Sequence, residues 1–254
     1  MTSPVTVEED GPVVTITLDR PAARNAIDAA TASALAEVLG DLDARDDLRV
    51  GVLTGAGGVF CAGMDLKAFL RGESPVVGDR GFAGLCTTPP AKPLIAAVEG
   101  WALAGGCEIA LACDVVVAGR SARFGLPEVR RGLLATAGGM IRLPRRISFG
   151  AAMLVTLTGE PVDAEEAYRL GIADVLVDDG GALHAAQDLA RTIAANAPLS
   201  VAAAKAAVTR SYDLALAAAF AEQTAAGDRI GASDDAREGA TAFAEKRLPR
   251  WSGR

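Results

Sequence analysis

IAAVEGWALAGGCEIALACDVVVA, residues 95–118, is the stretch on which the reading of this chain turns. It begins in one strand candidate, PLIAAVEG (93–100), and runs into a second, DVVVAG (114–119). Both are short, apolar runs that a glycine closes, the pattern of a brief strand. Between them the chain reads as an apolar helix opened by Gly105 and Gly106. Neither run alternates polar with apolar. Strands of that kind are buried on both faces, as in an α/β protein. One residue stands out. Glu108 sits among Ile, Ala and Leu, where an ionised carboxylate is costly.

The same order recurs toward the N-terminus. VVTITL (13–18) and RVGVLTG (49–55) read as strands. Between them Leu35, Val38, Leu39 and Leu42 fall at i, i+3, i+4 and i+7, and Asp28 is the expected N-cap of that helix. Residues 56–92 are richer in Gly and Pro. RGESPVVGDRG (71–81) reads as a mobile segment ended by Pro89, Pro90 and Pro93, either a binding loop or a plain surface loop. After Pro198 the chain turns Ala-rich and helical. A last helix is expected with Ser233 as its N-cap and Asp234 and Asp235 in its first turn. These changes divide the chain near 196, into a core of residues 1–195 and a helical region of 196–254.

Composition narrows the class. The 254 residues are 50 % hydrophobic and carry a net charge of −7, with Lys and Arg scattered rather than striped. That argues against a nucleic-acid surface but leaves room for an anionic ligand held by local groups. The opening MTSPVTVEEDG has neither a basic nor an apolar leader pattern, and Glu99, Glu108 and Asp114 interrupt the longest apolar stretch. A cytoplasmic protein without a membrane span is expected. Cys61, Cys86, Cys107 and Cys113 lack metal-ligand spacing and read as buried thiols.

Catalytic systems fall away in turn. The one histidine, His184, lies in the surface-helix pattern GALHAAQDLA, and no G-x-S-x-G elbow is present. VLTGAGGVF lacks the last glycine of a dinucleotide loop and the lysine of a P-loop. Two glutamates remain, Glu108 and, twenty positions later in FGLPEVRRG, Glu128. Each is accounted for alone as a first-turn helix carboxylate. The intervening chain also allows them to meet.

FCAGMDLKAF (60–69), the central stretch 95–118, FGLPEVRRGLLATAGG (124–139) and LTGEPVDAEEAYRLGIAD (157–174), with the tail AFAEKRLPRW (242–251), resemble the crotonase, or enoyl-CoA hydratase/isomerase, family over nearly the whole chain. The resemblance implies an α/β fold: a spiral of ββα turns followed by a helical trimerisation region, so that a homotrimer or a hexamer of paired trimers is expected. It implies an acyl-coenzyme A substrate and no separate cofactor. It implies hydration of a 2-enoyl thioester, with Glu108 activating water for attack at Cβ and Glu128 supplying the proton at Cα. The backbone N–H groups of Met64 and Gly105 would form the oxyanion hole. Arg24, Ala26, Ala62, Asp65, Leu66 and Lys67 would lie along the coenzyme A, and Phe243 and Lys246 would reach the nucleotide from the C-terminal helix, across a subunit boundary. Lys67 and Lys246 read equally well as solvated surface charges. Glutamates at both positions favour hydration. Double-bond isomerisation, a carnitinyl-CoA type of dehydration and a non-catalytic acyl-CoA binder are the alternatives.

Overall fold

A computed structural model describes residues 3–254. Strands β1 (Val5–Asp10) and β2 (Val13–Leu18) form a hairpin. Helix α1 (Ala29–Ala44) follows, capped by Asp28, whose carboxylate accepts the Thr31 N–H at 2.8 Å. Its buried side comprises Ala32, Leu35, Leu39 and Leu42. Strand β3 (Val50–Gly55) leads to helix α2 (Leu66–Leu70) and to a small hairpin of β4 (Val76–Val77) and β5 (Gly81–Phe82). Then come β6 (Leu94–Val98), β7 (Trp101–Leu103), α3 (Gly105–Ala112), β8 (Val115–Gly119) and β9 (Arg123–Gly125).

A 3₁₀ turn over Pro127–Arg131 precedes α4 (Gly139–Arg146), α5 (Phe149–Thr158), β10 (Val162–Asp163), α6 (Ala164–Leu170) and β11 (Val175–Val177). Four helices complete the chain: α7 (Ala182–Ala194), α8 (Pro198–Ser211), α9 (Leu216–Gly231) and α10 (Asp234–Glu245).

The main sheet runs β1-β2-β3-β6-β8-β11, and every pairing from β2 onward is parallel. Burial on both faces explains the unbroken apolar runs. Val14, Ile16, Leu53, Ala96, Val98 and Val116 face a core shared with α1 and α3. Their neighbours Val13, Val50, Val52, Ile95, Ala97 and Val117 face α7. That helix presents Ala182, Ala186, Ala190 and Ala194, an i, i+4 stripe of small side chains against the β-branched strand surface.

A second sheet, β10-β9-β7, gives the spiral its other layer. Ala102 of β7 pairs with Phe124 of β9, and an isolated parallel bridge sets Cys61 beside Ala102. All three are fully buried.

One local expectation changes, and two features are new. Segment 71–81 holds β4, a tight turn and the start of β5, fixed by main-chain bonds from Ala83 N–H to Pro75 C=O and from Thr87 N–H to Arg80 C=O, each 2.9 Å. Charged β1 pairs along its whole length as an edge strand, which its sequence did not announce. Ser233 caps α10 as expected, but Asp235 is buried and receives N–H bonds from Ser252 and Gly253 at 2.6 and 3.0 Å. It fastens the C-terminal tail to α10.

Candidate active site

The register of the second layer brings the candidate residues to one end. Cys61, Ala102 and Phe124 stand side by side. Three residues beyond the first is Met64, three beyond the second is Gly105, and four beyond the third is Glu128. Each chain leaves its strand on the same side, so three segments distant in sequence converge.

Gly105 opens α3. The first helical bond runs from Glu108 N–H to Ala104 C=O at 3.0 Å, so the N–H of Gly105 lies ahead of the helix's own ladder. Ala104, at φ 51 and ψ −127, turns the chain into this direction, held by its N–H to Gly125 C=O at 2.9 Å. A non-glycine residue there stores about 1–3 kcal/mol of strain. The left-handed backbone belongs to Ala104 and not to Gly105. What keeps Gly105 small is the Phe82 ring, whose Cζ would lie 2.5 Å from an added Cβ. Gly106 is bound more tightly still, because its Cβ would meet the Cys61 carbonyl oxygen at 2.0 Å.

Met64 lies on the neighbouring strand segment. Ile27 donates to Gly63 C=O at 2.8 Å, and Asp65 donates to Ile27 C=O at 2.9 Å. Successive N–H groups of an extended chain alternate sides, so that of Met64 points away from Ile27. Gly105 adjoins this segment: a Cβ on Gly63 would sit 3.0 Å from the Gly105 nitrogen. The segment that carries Met64 therefore lies against the N-terminus of α3, the positive end of that helix.

Glu108 is buried, and its Oε1 accepts the Gly139 N–H at 2.9 Å. The turn before α4, with Gly138 at φ 106, brings that N–H to it. Burial pushes the Glu108 carboxyl up to about 7; the Gly139 bond opposes the rise, the charge of Glu128 adds to it, and Arg142 opposes it. Glu128 follows Pro127 in the 3₁₀ turn and is buried too. Burial raises its carboxyl, against the pull of its own backbone and of Arg131. Its Oε2 has no hydrogen-bond partner among the described residues. Two buried carboxylic groups that feel each other, one with an unclaimed oxygen, can divide proton donation and acceptance.

The remaining candidates part company. Arg24, in a left-handed corner, offers its carbonyl to Ala62 N–H at 3.0 Å, and Ala26 is buried beside them. Leu66 and Lys67 are exposed at the start of α2. Asp65 is otherwise engaged. It caps α2 through the N–H groups of Lys67 and Ala68 and pairs with Arg20, so its carboxylate serves the protein's own backbone. Phe243 and Lys246 are exposed at the C-terminal end of α10, which packs against α9. His184 stands exposed on α7 beside Asp188, and all four cysteines are buried. No helix among the described residues is long and apolar enough to cross a membrane. Sequence reading missed Phe82 and Arg142, which reach the site from segments that carry no motif.

A main sheet of mostly parallel strands, a second, smaller sheet and a helix with a buried carboxylate in its first turn make up a fold of the crotonase class. The chain belongs to the enoyl-CoA hydratase/isomerase family, whose model matches residues 8–254. It is 42 % identical to a carnitinyl-CoA dehydratase of Proteus mirabilis, over 96 % of each chain. It is also 42 % identical to the enoyl-CoA hydratase EchA19 of Mycobacterium tuberculosis, over 98 % of this chain and 96 % of that one. The crystal structure of enoyl-CoA hydratase EchA1 from Mycobacterium marinum superposes with a TM-score of 0.97, at 54 % identity and full coverage of both chains.

Proposed function

We propose that the protein hydrates a 2-enoyl-coenzyme A thioester to the 3-hydroxyacyl thioester. The observation that carries this is the pair of buried glutamates, Glu108 and Glu128, with Glu108 in the first turn of α3 and Gly105 at its start; on this reading the N–H groups of Met64 and Gly105 are the oxyanion donors. The thioester oxygen lies against those two donors, and charge developing on it is stabilised by the donors and by the start of α3. Glu108, held by Gly139, takes a proton from water as the oxygen attacks Cβ. Glu128, through its unpartnered oxygen, delivers a proton to Cα. The water's hydroxyl ends on Cβ and its proton on Glu108; passage of that proton to Glu128 restores the pair, so that the net change is the addition of one water.

Dehydration of a 3-hydroxyacyl thioester is the same path run backward. The carnitinyl-CoA dehydratase relatives favour it as the second reading. Loss of enoyl-thioester absorbance, followed from both ends of the reaction, decides the direction. Glu128→Gln keeps size and removes the acid, and it should leave a folded protein with turnover reduced at least about 10²-fold. Near wild-type turnover on the best substrate would overturn the assignment.

The assembly follows the same reading. Phe149, Leu154 and Leu157 of α5, and Val208, Leu216 and Phe220 around α8 and α9, are exposed in the single chain. Large apolar side chains grouped in this way favour association, and a homotrimer or paired trimers would cover them.

A further inference from the structure

Arg20 takes no part in the chemistry above, yet its one guanidinium ties the stretch 26–28 to Asp65, the residue after Met64. Its Nη2 lies 2.9 Å from Asp28 Oδ2 and 3.0 Å from Asp65 Oδ2, and its Nη1 donates to the Ala26 carbonyl. Asp28 is the N-cap of α1 and Asp65 the N-cap of α2, the residue after Met64. Ala26 precedes Ile27, the residue bridged to Met64. The ion-pair side chains are 24, 17 and 13 % exposed, so solvent screens them only in part. Arg20 is itself fixed. Its N–H donates to Asn25 Oδ1 at 2.9 Å, and the buried Asn25 amide reaches the carbonyls of Ala56 and Val59 at 2.9 and 2.6 Å.

The electrostatics give this arrangement a direction. Two carboxylates capping neighbouring helices repel each other. A shared guanidinium cancels the repulsion and sets the spacing of the two caps. Met64 adjoins both caps, in the extended pairing with Ile27 that turns its N–H away from Ile27. Without Arg20 the α2 cap and the Met64 peptide are free to move outward together. Oxyanion donors act over a narrow range, and a displacement of about 1 Å can cost 10²-fold in rate.

We propose that Arg20 is a positioning residue for the Met64 N–H, holding it against the substrate carbonyl through the carboxylate clamp with Asp28 and Asp65. The proposal rests on reading Met64 and Gly105 as the oxyanion donors.

A 3-arylacryloyl-coenzyme A tests both without requiring turnover, because its absorption moves to longer wavelength when its carbonyl is polarised. Wild type should red-shift the bound probe, and folded Arg20→Gln should shift it less at saturation. Its kcat should fall about 10- to 10²-fold on the coenzyme A thioester and on the truncated N-acetylcysteamine thioester alike, with KM little changed. Arg20→Lys should recover part of the loss. Asp65→Asn, which keeps a capping oxygen, should reproduce the smaller shift even if Arg20→Gln proves unstable. A wild-type red shift left unchanged in both folded variants overturns the clamp alone. So does a loss confined to KM for the full coenzyme A thioester. Absence of any red shift in wild type overturns the oxyanion reading, and the clamp with it.

Discussion

Glu108 concentrates the conflict between folding and chemistry in one side chain. Its folded-state pKa, about 7, stands above the ordinary 4.5, so the folded chain favours the neutral acid. Below pH 4.5 the group costs nothing. As the pH rises from 4.5 to about 7 the native state holds the proton that the unfolded state releases, and stability declines with pH until the penalty is complete above 7. Glu108→Gln should therefore match wild type in stability near pH 4 and exceed it by about 1–3 kcal/mol at pH 8. Melting temperatures across that range give the answer, and a difference that does not vary with pH would contradict it. The sequence announced Glu108 as an anomaly, because a lone carboxylate in an apolar helix is visible without coordinates. Glu128 was different. After a proline it looks like any first-turn acid, and only the resemblance singled it out. The approach of Phe82 to Gly105, and of Cys86 and Arg142 to Glu108, could not be read, since it is made across elements that share no local pattern.

At the scale of elements, the start of α3 shows two adjacent glycines required for different reasons. The neighbour of Gly105 is an aromatic ring tip that can swing aside, whereas that of Gly106 is a backbone carbonyl in the second layer. Gly106→Ala should thus cost more stability than Gly105→Ala, by about 1–3 kcal/mol. Gly105→Val should fold but lower kcat/KM by about 10²-fold or more, as a displaced oxyanion donor would. Denaturant titration and steady-state kinetics check these effects separately. Equal stability of the two alanine variants would refute the first, and an unchanged rate the second. The main strands were legible because burial on both faces leaves short, largely apolar runs without polar alternation. The second layer was not. Strands such as β9 and β10 are two or three residues long, too short to establish a period, and their register comes from pairing alone.

For the whole molecule, the contrast is between a sheet covered on both faces and terminal helices that bury little. Within the single chain α8 and α9 have no buried residue, although Val208, Leu216 and Phe220 belong to or adjoin them. Light scattering at micromolar concentration should give three or six times the mass of the chain, and a monodisperse monomer would refute the proposed association. The change of character near 196 was readable from alanine content. Which surfaces meet was not, because an apolar side chain in a helix looks the same whether its own chain or another copy covers it. The order of strands in the main sheet has a separate consequence. From β1 to β11 they lie side by side in the sequence in which a ribosome releases them. Each newcomer pairs with an edge already present, and none must be inserted between two partners. Until residues 175–177 emerge, however, that advancing edge is β8, a run of valines with its outer N–H and C=O groups unpaired. A chain halted short of that point presents them to whatever strand it meets first, so incomplete synthesis yields an aggregation template rather than a smaller version of the fold.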